Sequence, residues 1–198
     1  MWGDMIQTDI LFFAGIKHSG KTTMARLCAK RLGIPCHDND DLLFETIHDE
    51  YPDVRTFYRA VGPERFMKQE AAALKDFINK GIPRSMEPSA KPKMIIALGG
   101  GACDNDELMD IVKRHGTSCY LANDPQVLLK RILRHGVPPF LDPEDTEGSF
   151  AKLYERRDGL YRSICDFVIQ LPDCENPEDT CDFLLESLDT ALGDHGAE

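Results

Sequence analysis

ILFFAGIKHSGKTTMARLCAKRL, residues 10–32, is the stretch that decides the fold. It opens with a continuous apolar run, which is typical of a strand buried on both faces of a parallel sheet. Its last part is amphipathic and favours a helix. Between these parts, the residues from Gly15 to Thr22 match the pattern G-x-x-x-x-G-K-[ST] at every fixed position. A strand, this loop and a helix in succession predict a phosphate-binding loop (P-loop) within an α/β fold.

Each residue type in this loop has a chemical reason. Glycines allow a tight turn in which backbone N–H groups converge on phosphate oxygens, and the following helix adds the positive end of its dipole. The ammonium of Lys21 suits the β- and γ-phosphates, and the hydroxyl of Thr22 suits Mg²⁺. The sequence therefore predicts a site for a nucleoside triphosphate with Mg²⁺. The residues of this site are Gly15, Lys17, His18, Ser19, Gly20, Lys21, Thr22 and Thr23.

Short apolar runs alternate with longer amphipathic ones along the rest of the chain. The apolar runs predict strands at residues 9–14, 34–38, 94–98, 118–121 and 167–171. The amphipathic stretches predict helices at residues 21–32, 63–79, 107–115, 126–133, 150–164 and 177–192. This alternation predicts one α/β domain over residues 1–198, with a parallel sheet and right-handed crossovers.

Three segments interrupt the alternation. Residues 81–93 contain three prolines and are predicted to form an exposed loop. Residues 135–148 also contain three prolines, end in acidic residues and are predicted to form a mobile lid. The tail, residues 193–198, is predicted to be frayed.

Composition limits the partners. The chain has 198 residues and a formal net charge of −11, which argues against binding nucleic acid or an anionic membrane over a broad surface. Its seven cysteines form no C-x-x-C pair, which indicates buried free thiols in a reducing compartment. The apolar run near the N-terminus is too short to span a bilayer. We therefore expect a cytoplasmic monomer that binds small molecules.

Two acidic residues follow the second predicted strand. HDNDD, residues 37–41, lies at the carboxyl edge of the predicted sheet, where open α/β sheets bind ligands. One carboxylate there can reach the water shell of the metal, and another can accept the proton of an attacking hydroxyl. We assign these roles to Asp38 and Asp40, respectively. Asp41 is predicted to be a helix cap.

The third predicted strand ends in Gly99, Gly100 and Gly101. Three glycines leave bare backbone that a small ligand can approach closely, although a plain glycine-rich turn is also common after a strand. No aspartate ends this strand, which favours Asp38 as the metal-side acid.

In combination, these motifs resemble those of the shikimate kinase family, P-loop small-molecule kinases with a nucleoside-monophosphate-kinase-like fold. The resemblance extends from about residue 9 to residue 192. It implies a three-layer fold with a five-stranded parallel sheet in the order 2-3-1-4-5, helices on both faces and a mobile lid. It also implies a helical substrate-binding subdomain at residues 40–80.

The resemblance also implies roles for single residues. HDND resembles the D-x-D motif of the family. By this resemblance, Asp38 corresponds to the acid beside the metal ion, and Asp40 corresponds to the acid that holds the substrate hydroxyls. LGGG resembles the triple-glycine motif that contacts the substrate. LKR resembles the lid-entry motif, whose arginine lies along the adenine, here Arg131. RDGLY resembles R-x-P-L-Y, so that Arg157 falls on an arginine that binds the substrate carboxylate.

Two departures from the family pattern concern the acceptor. The motif F-R-x-x-E appears as FMKQE, so that Met67 replaces an arginine, and Glu70 is predicted to be a surface carboxylate. The lid motif R-P-L-L appears as PPFL, so that Pro138 replaces a second arginine. Of three arginines expected around the acceptor, Arg157 remains. Arg134 is a candidate for the cation of the lid.

The resemblance implies ATP- and Mg²⁺-dependent transfer of a phosphoryl group to a hydroxyl of a small metabolite, with Lys21 and Asp40 as catalytic residues. Shikimate is the first candidate acceptor. A second hypothesis is a related polyol or sugar-like acceptor without a carboxylate, because Met67 and Pro138 stand where arginines are expected. A third is a non-catalytic, nucleotide-binding regulatory protein. A nucleoside-monophosphate kinase fits less well, because the triple glycine and Asp40 suit a hydroxylated ring.

Overall fold

Five short strands form the centre of the fold. The computed structural model describes residues 9–81, 92–134, 136–138 and 140–194. Its strands are β1 (Ile10–Ala14), β2 (Cys36–Asp38), β3 (Met94–Ala97), β4 (Gly116–Ala122) and β5 (Phe167–Gln170). They form one sheet in the order β2-β3-β1-β4-β5, and every pairing is parallel. The predicted α/β fold and strand order are confirmed.

The position of β1 in the middle of the sheet explains why its sequence is apolar. It pairs with β3 on one side and β4 on the other, and all five of its residues are buried. Ile10, Phe12 and Ala14 belong to the core on one face of the sheet, whereas Leu11 and Phe13 belong to the core on the other. A strand covered on both faces has no position for a polar side chain.

Helices cover both faces of the sheet. They are α1 (Lys21–Leu32), α2 (Asn39–Ile47), α3 (Val54–Gly81), α4 (Asp106–His115), α5 (Pro125–Leu133), α6 (Thr146–Ile164) and α7 (Pro177–Asp194). Helices α1 and α7 pack on one face, and residues of α3, α4, α5 and α6 join the core on the other. This is the predicted three-layer arrangement.

Helices α2 and α3 pack against each other and share a small core. Leu43, Ile47, Phe57 and Ala73 are its buried members. Helix α3 is interrupted at Gly62, where φ is +76°, directly before Pro63. The helix predicted from residue 63 is therefore the second part of α3.

Some element boundaries differ from the sequence predictions. Helix α6 begins at Thr146 because the side chain of Asp145 accepts a hydrogen bond from the Gly148 nitrogen at 3.0 Å. The last three residues of the predicted lid are therefore helical. Helix α7 continues to Asp194. Residues 135 and 139 of the lid, 82–91 of the predicted loop and 195–198 of the predicted tail lie outside the described residues.

The seven cysteines are all free, and Cys28, Cys103, Cys119 and Cys181 are buried, which agrees with their apolar sequence surroundings. Among the described residues, no helix has the length and apolar character needed to cross a membrane.

Candidate active site

The loop between β1 and α1 has the backbone conformation that its sequence predicts. Gly20 has φ of +89° at the start of α1, and Gly15 has φ of +156°. A Cβ atom added to Gly15 would lie 2.8 Å from Ser19 Oγ and 3.0 Å from the Leu121 carbonyl oxygen. Both fixed glycines are therefore required by the turn itself.

Lys21 is the buried cation of this loop. Its side chain is 6% exposed, and its ammonium donates a hydrogen bond to the Ile16 carbonyl at 3.1 Å. Burial lowers the pKa of Lys21 to about 8, against the opposing charges of Asp40 and Asp38. Bound phosphates would add negative charge beside the ammonium and stabilise its protonated form.

Asp38 connects the second strand to the loop. Its Oδ2 accepts a hydrogen bond from Thr22 Oγ1 at 2.6 Å, and its Oδ1 accepts one from the Asp40 nitrogen at 2.9 Å. The second bond makes Asp38 the N-cap of α2. The prediction that Asp41 is the cap is wrong. Asp41 lies within the first turn of α2, is exposed and lies 3.8 Å from Arg26.

The Thr22 hydroxyl and the Asp38 carboxylate are hard oxygen ligands of the kind that Mg²⁺ prefers. They are already within hydrogen-bond distance of each other, so the donor set fits this ion. The described part of the chain has no group of three or more His, Cys, Asp or Glu side chains arranged to hold a metal. A magnesium ion there would need oxygens from the nucleotide and water to complete its shell.

Asp40 lines the cavity beside the P-loop. Partial removal of its carboxyl group from water raises the pKa of Asp40, and the negative charge of Asp38 adds to this shift. The positive charges of Lys21 and Lys17 oppose it. Asp40 is therefore a carboxylate surrounded by charges of both signs, and its proton affinity is higher than that of an aspartate in water.

The three glycines after β3 lie where other groups pass closely. A Cβ atom on Gly99 would lie 2.9 Å from Glu70 Oε1 and 3.2 Å from Asp40 Oδ1. A Cβ atom on Gly100 would lie 2.9 Å from the backbone of Lys17. One on Gly101 would lie 3.1 Å from an Arg157 nitrogen. The triple glycine thus brings the P-loop, two carboxyl groups and a guanidinium against one segment of backbone.

Glu70 is not a surface residue, and that prediction is wrong. Its side chain is buried, with 4% exposure, and its Oε2 accepts a hydrogen bond from Asn105 Nδ2 at 2.8 Å. The same nitrogen donates to the Met67 carbonyl at 2.9 Å. Burial raises the pKa of Glu70 to about 7; the bond from Asn105 opposes this shift and the charge of Asp40 adds to it.

Arg157 lies behind the triple glycine. Its Nη1 donates to the Gly100 carbonyl at 3.3 Å, and its Nη2 donates to Asp104 Oδ2 at 2.8 Å. Asp104 also accepts a bond of 2.6 Å from Arg156. Burial alone would raise the pKa of Asp104, but the two arginines outweigh this effect and lower it. Asp104 is not among the residues predicted from the sequence, although an acid three residues after a triple glycine is a visible signal.

Some of these groups border one cavity of about 900 Å³. The P-loop, Asp38, Asp40, Gly99 and Gly100 line one part of it. Its remaining lining includes Asn123, Lys130, Arg131, Arg134 and residues 171–175. The volume lies within the range of about 300–1,000 Å³ that is usual for small-molecule sites.

The structure brings most of the predicted site residues to this cavity. Those that line it are Lys17, His18, Ser19, Gly20, Lys21, Thr22, Thr23, Asp38, Asp40, Gly99, Gly100 and Arg131. The predicted site residues Gly15, Gly101 and Arg157 do not line it. Arg131 Nη2 donates to Asp173 Oδ1 at 3.2 Å, so it stands at the part of the cavity formed by the segment after β5.

A P-loop at the carboxyl edge of a parallel sheet, with an acid at the end of β2 bonded to the loop, is the arrangement of P-loop small-molecule kinases. The family model for shikimate kinase matches residues 17–189. The chain belongs to the shikimate kinase family.

Curated relatives agree with this family. A shikimate kinase of Cupriavidus pinatubonensis is 32% identical over 160 residues, which are 81% of this chain and 76% of the relative. A shikimate kinase of Neisseria gonorrhoeae is 28% identical over 170 residues, which are 86% of this chain and 92% of the relative.

Solved structures share the fold. Shikimate kinase from Aquifex aeolicus superimposes with a TM-score of 0.67 and 26% identity, covering 93% of this chain and 99% of that one. Shikimate kinase from Acinetobacter baumannii in complex with shikimate gives a TM-score of 0.73 at 22% identity, covering 91% and 93%; this likeness shows the fold. This chain is thus a small-molecule kinase, of a family that uses ATP as co-substrate.

Proposed function

We propose that this chain transfers the γ-phosphoryl group of ATP to a hydroxyl group of shikimate. One observation carries the proposal: Asp40, Gly99 and Gly100 line the same cavity as Lys21, and Arg157 donates a hydrogen bond to the Gly100 carbonyl. An acceptor region therefore accompanies the nucleotide loop. The relatives named shikimate kinase over most of the chain support this choice of acceptor.

In the proposed reaction, the acceptor hydroxyl attacks the γ-phosphorus in line with the leaving oxygen of ADP. Lys21 and the N–H groups of the loop stabilise negative charge on the phosphates. Asp40 accepts a hydrogen bond from the attacking hydroxyl and then its proton, which its raised pKa favours. Because the transition state of phosphoryl transfer is loose, holding the hydroxyl in place contributes more than its deprotonation.

Thr22 and Asp38 are the proposed holders of Mg²⁺. When bound, this ion neutralises part of the phosphate charge. Asp38 also caps α2, so the same carboxylate fixes the direction in which Asp40 leaves the helix. Arg131 is the proposed contact for adenine or phosphate, because it borders the cavity and is held by Asp173.

The proposed domain organisation follows from these placements. Residues 40–80 form the substrate-binding part, since both Asp40 and Glu70 lie on the α2–α3 pair. Residues 135–148 form the lid that excludes water during transfer. A cytoplasmic location is supported by the seven free cysteines, and a monomer stays a prediction.

One observation favours a second acceptor class. Arg157 already shares two hydrogen bonds with Asp104, at 2.8 and 3.2 Å, and Met67 and Pro138 supply no charge. A carboxylate on the acceptor would meet less positive charge than three free arginines provide. A polyol or sugar-like hydroxyl compound without a carboxylate is therefore the alternative acceptor.

The test is an assay of ADP release coupled to detection of the phosphorylated product. Shikimate, its methyl ester and a panel of neutral polyols are each offered with ATP and Mg²⁺. We expect turnover at micromolar to millimolar shikimate. Turnover of the ester or a polyol with none of shikimate would establish the second acceptor class. ATP binding without product from any hydroxyl compound would instead establish a regulatory protein.

A further inference from the structure

Lys17 occupies a junction between three parts of the site. It lies within the P-loop, and its backbone is 2.9 Å from the Cβ position of Gly100, on the acceptor side. Its side chain is exposed and borders the cavity. The ammonium also lies 5.8 Å from the centroid of the Phe140 ring, in the proposed lid. Lys17 is thus placed between the nucleotide loop, the triple glycine and the lid.

The lid sequence supplies no cation of its own over residues 136–148. This segment contains no lysine or arginine, and its acidic residues are Asp142, Glu144, Asp145 and Glu147. A group of this charge cannot stabilise the negative charge that spreads over the equatorial oxygens of the transferring phosphoryl group. A lysine or arginine beneath residues 136–148 therefore comes from another part of the chain.

Lys17 borders the same cavity as both proposed catalytic residues. Lys17, Lys21, Asp40 and Gly100 all belong to its lining. Other cations that line the cavity, Lys130, Arg131 and Arg134, come from α5 and the residue after it. Arg131 is already paired with Asp173.

We propose that Lys17 is a further catalytic residue whose ammonium contacts the γ-phosphoryl group during transfer, and that Phe140 is a positioning residue that holds the ammonium through its ring face. This inference rests on the proposed function. In the transfer step, the bond from phosphorus to the ADP oxygen breaks, the bond to the acceptor oxygen forms, and the hydroxyl proton passes to Asp40. The lysine donates hydrogen bonds to the phosphoryl oxygens and exchanges no proton.

The test compares Lys17→Met, Lys17→Arg and Phe140→Leu with the unmodified chain. Loss of the cation should lower kcat about 10²- to 10³-fold, as does removal of one preorganised donor from a charged transition state. The dissociation constant for ADP should change by less than about twofold, because the proposed contact is to the γ-phosphoryl group. Lys17→Arg should restore most of the rate. Phe140→Leu should lower kcat about two- to fivefold, the usual size of an exposed cation–π contact.

Two controls separate this role from a structural one. Lys30→Met removes an exposed lysine from α1 and should leave kcat unchanged. Arg134→Met removes the competing cation of the cavity. Loss of rate in Arg134→Met, with full rate in Lys17→Met, would overturn the proposal.

A binding measurement keeps the two proposals distinguishable. The ratio of affinities for a non-hydrolysable ATP analogue and for ADP should fall about tenfold or more in Lys17→Met and stay constant in Lys30→Met. If the unmodified chain phosphorylates no acceptor, the proposed function fails, and this ratio still decides the role of Lys17. An unchanged ratio in Lys17→Met would contradict it.

Discussion

At the scale of single residues, two carboxyl groups approach the same glycine on the acceptor side of the cavity. Asp40 Oδ1 and Glu70 Oε1 lie 3.2 and 2.9 Å from the Cβ position of Gly99. Glu70 has no arginine at position 67 to neutralise it, and Asn105 is its hydrogen-bond donor instead. A buried carboxyl group with a neutral donor keeps its proton to a higher pH.

Glu70→Gln should change how stability depends on pH. The pKa of Glu70 rises from 4.5 to about 7 on folding, so the folded chain holds a proton between these values that the unfolded chain has lost. Stability from this group is therefore present below pH 4.5 and lost as the pH rises to about 7. The stability of Glu70→Gln relative to the unmodified chain should increase between pH 5 and pH 8, by up to about 3 kcal/mol.

Urea unfolding at both pH values measures this effect. Asp76→Asn, an exposed carboxylate on the same helix α3, is the matched control and should show no change with pH. If the difference in stability between Glu70→Gln and the unmodified chain is also the same at both pH values, Glu70 ionises normally in the folded chain.

Asp40→Asn should lower kcat and leave ATP binding intact. The amide keeps the size of the side chain but cannot accept the proton of the attacking hydroxyl. We expect a loss of about 10²- to 10⁴-fold in kcat, with the ATP dissociation constant within about threefold of the original. Steady-state kinetics and nucleotide titration give the two numbers. An unchanged kcat would remove Asp40 from the mechanism.

At the scale of elements, the site depends on close packing between the P-loop and the turn after β3. Gly100 lies directly against the backbone of Lys17, at a distance that leaves no room for a side chain. The cap at Asp38 likewise ties α2 to the end of β2 and to Thr22. Both contacts fix the P-loop relative to its neighbours, the first relative to the turn after β3 and the second relative to α2.

Gly100→Ala should therefore displace the P-loop. A Cβ atom 2.9 Å from backbone cannot be accommodated by rotating a side chain, so we expect weaker ATP binding and a stability loss of about 1–3 kcal/mol. Gly159→Ala, within α6, is the control because nothing lies within 4 Å of its Cβ position. It should gain up to about 1 kcal/mol from helix propensity. Normal ATP binding and stability in Gly100→Ala would show that the two segments do not need this contact.

At the scale of the whole molecule, the sheet and its P-loop could be predicted because strong local signals specify them. The apolar runs of β1 and β3 and the motif from Gly15 to Thr22 predicted a parallel sheet with a P-loop, and the family resemblance supplied the strand order. The burial of Glu70 and the pairing of Arg157 with Asp104 could not be predicted. They depend on contacts between residues 35 and 53 positions apart, which no local pattern encodes.

The net charge of −11 is unevenly distributed in the folded chain. Cations line the cavity at Lys17, Lys21, Lys130, Arg131 and Arg134. Arg157, behind the triple glycine, is bound to Asp104. The proposed acceptor side is thus less positive than the nucleotide side. The identity of the acceptor is therefore the property that an experiment has to establish.

The most direct measurement is therefore the time course of phosphorylated shikimate formed by the purified chain with ATP and Mg²⁺, run beside Lys21→Ala. We expect steady turnover by the unmodified chain. In Lys21→Ala we expect a loss of at least about 10³-fold, because the buried ammonium at the phosphates is gone. Equal rates in both proteins, or no product from the unmodified chain at millimolar shikimate, would contradict the proposed function.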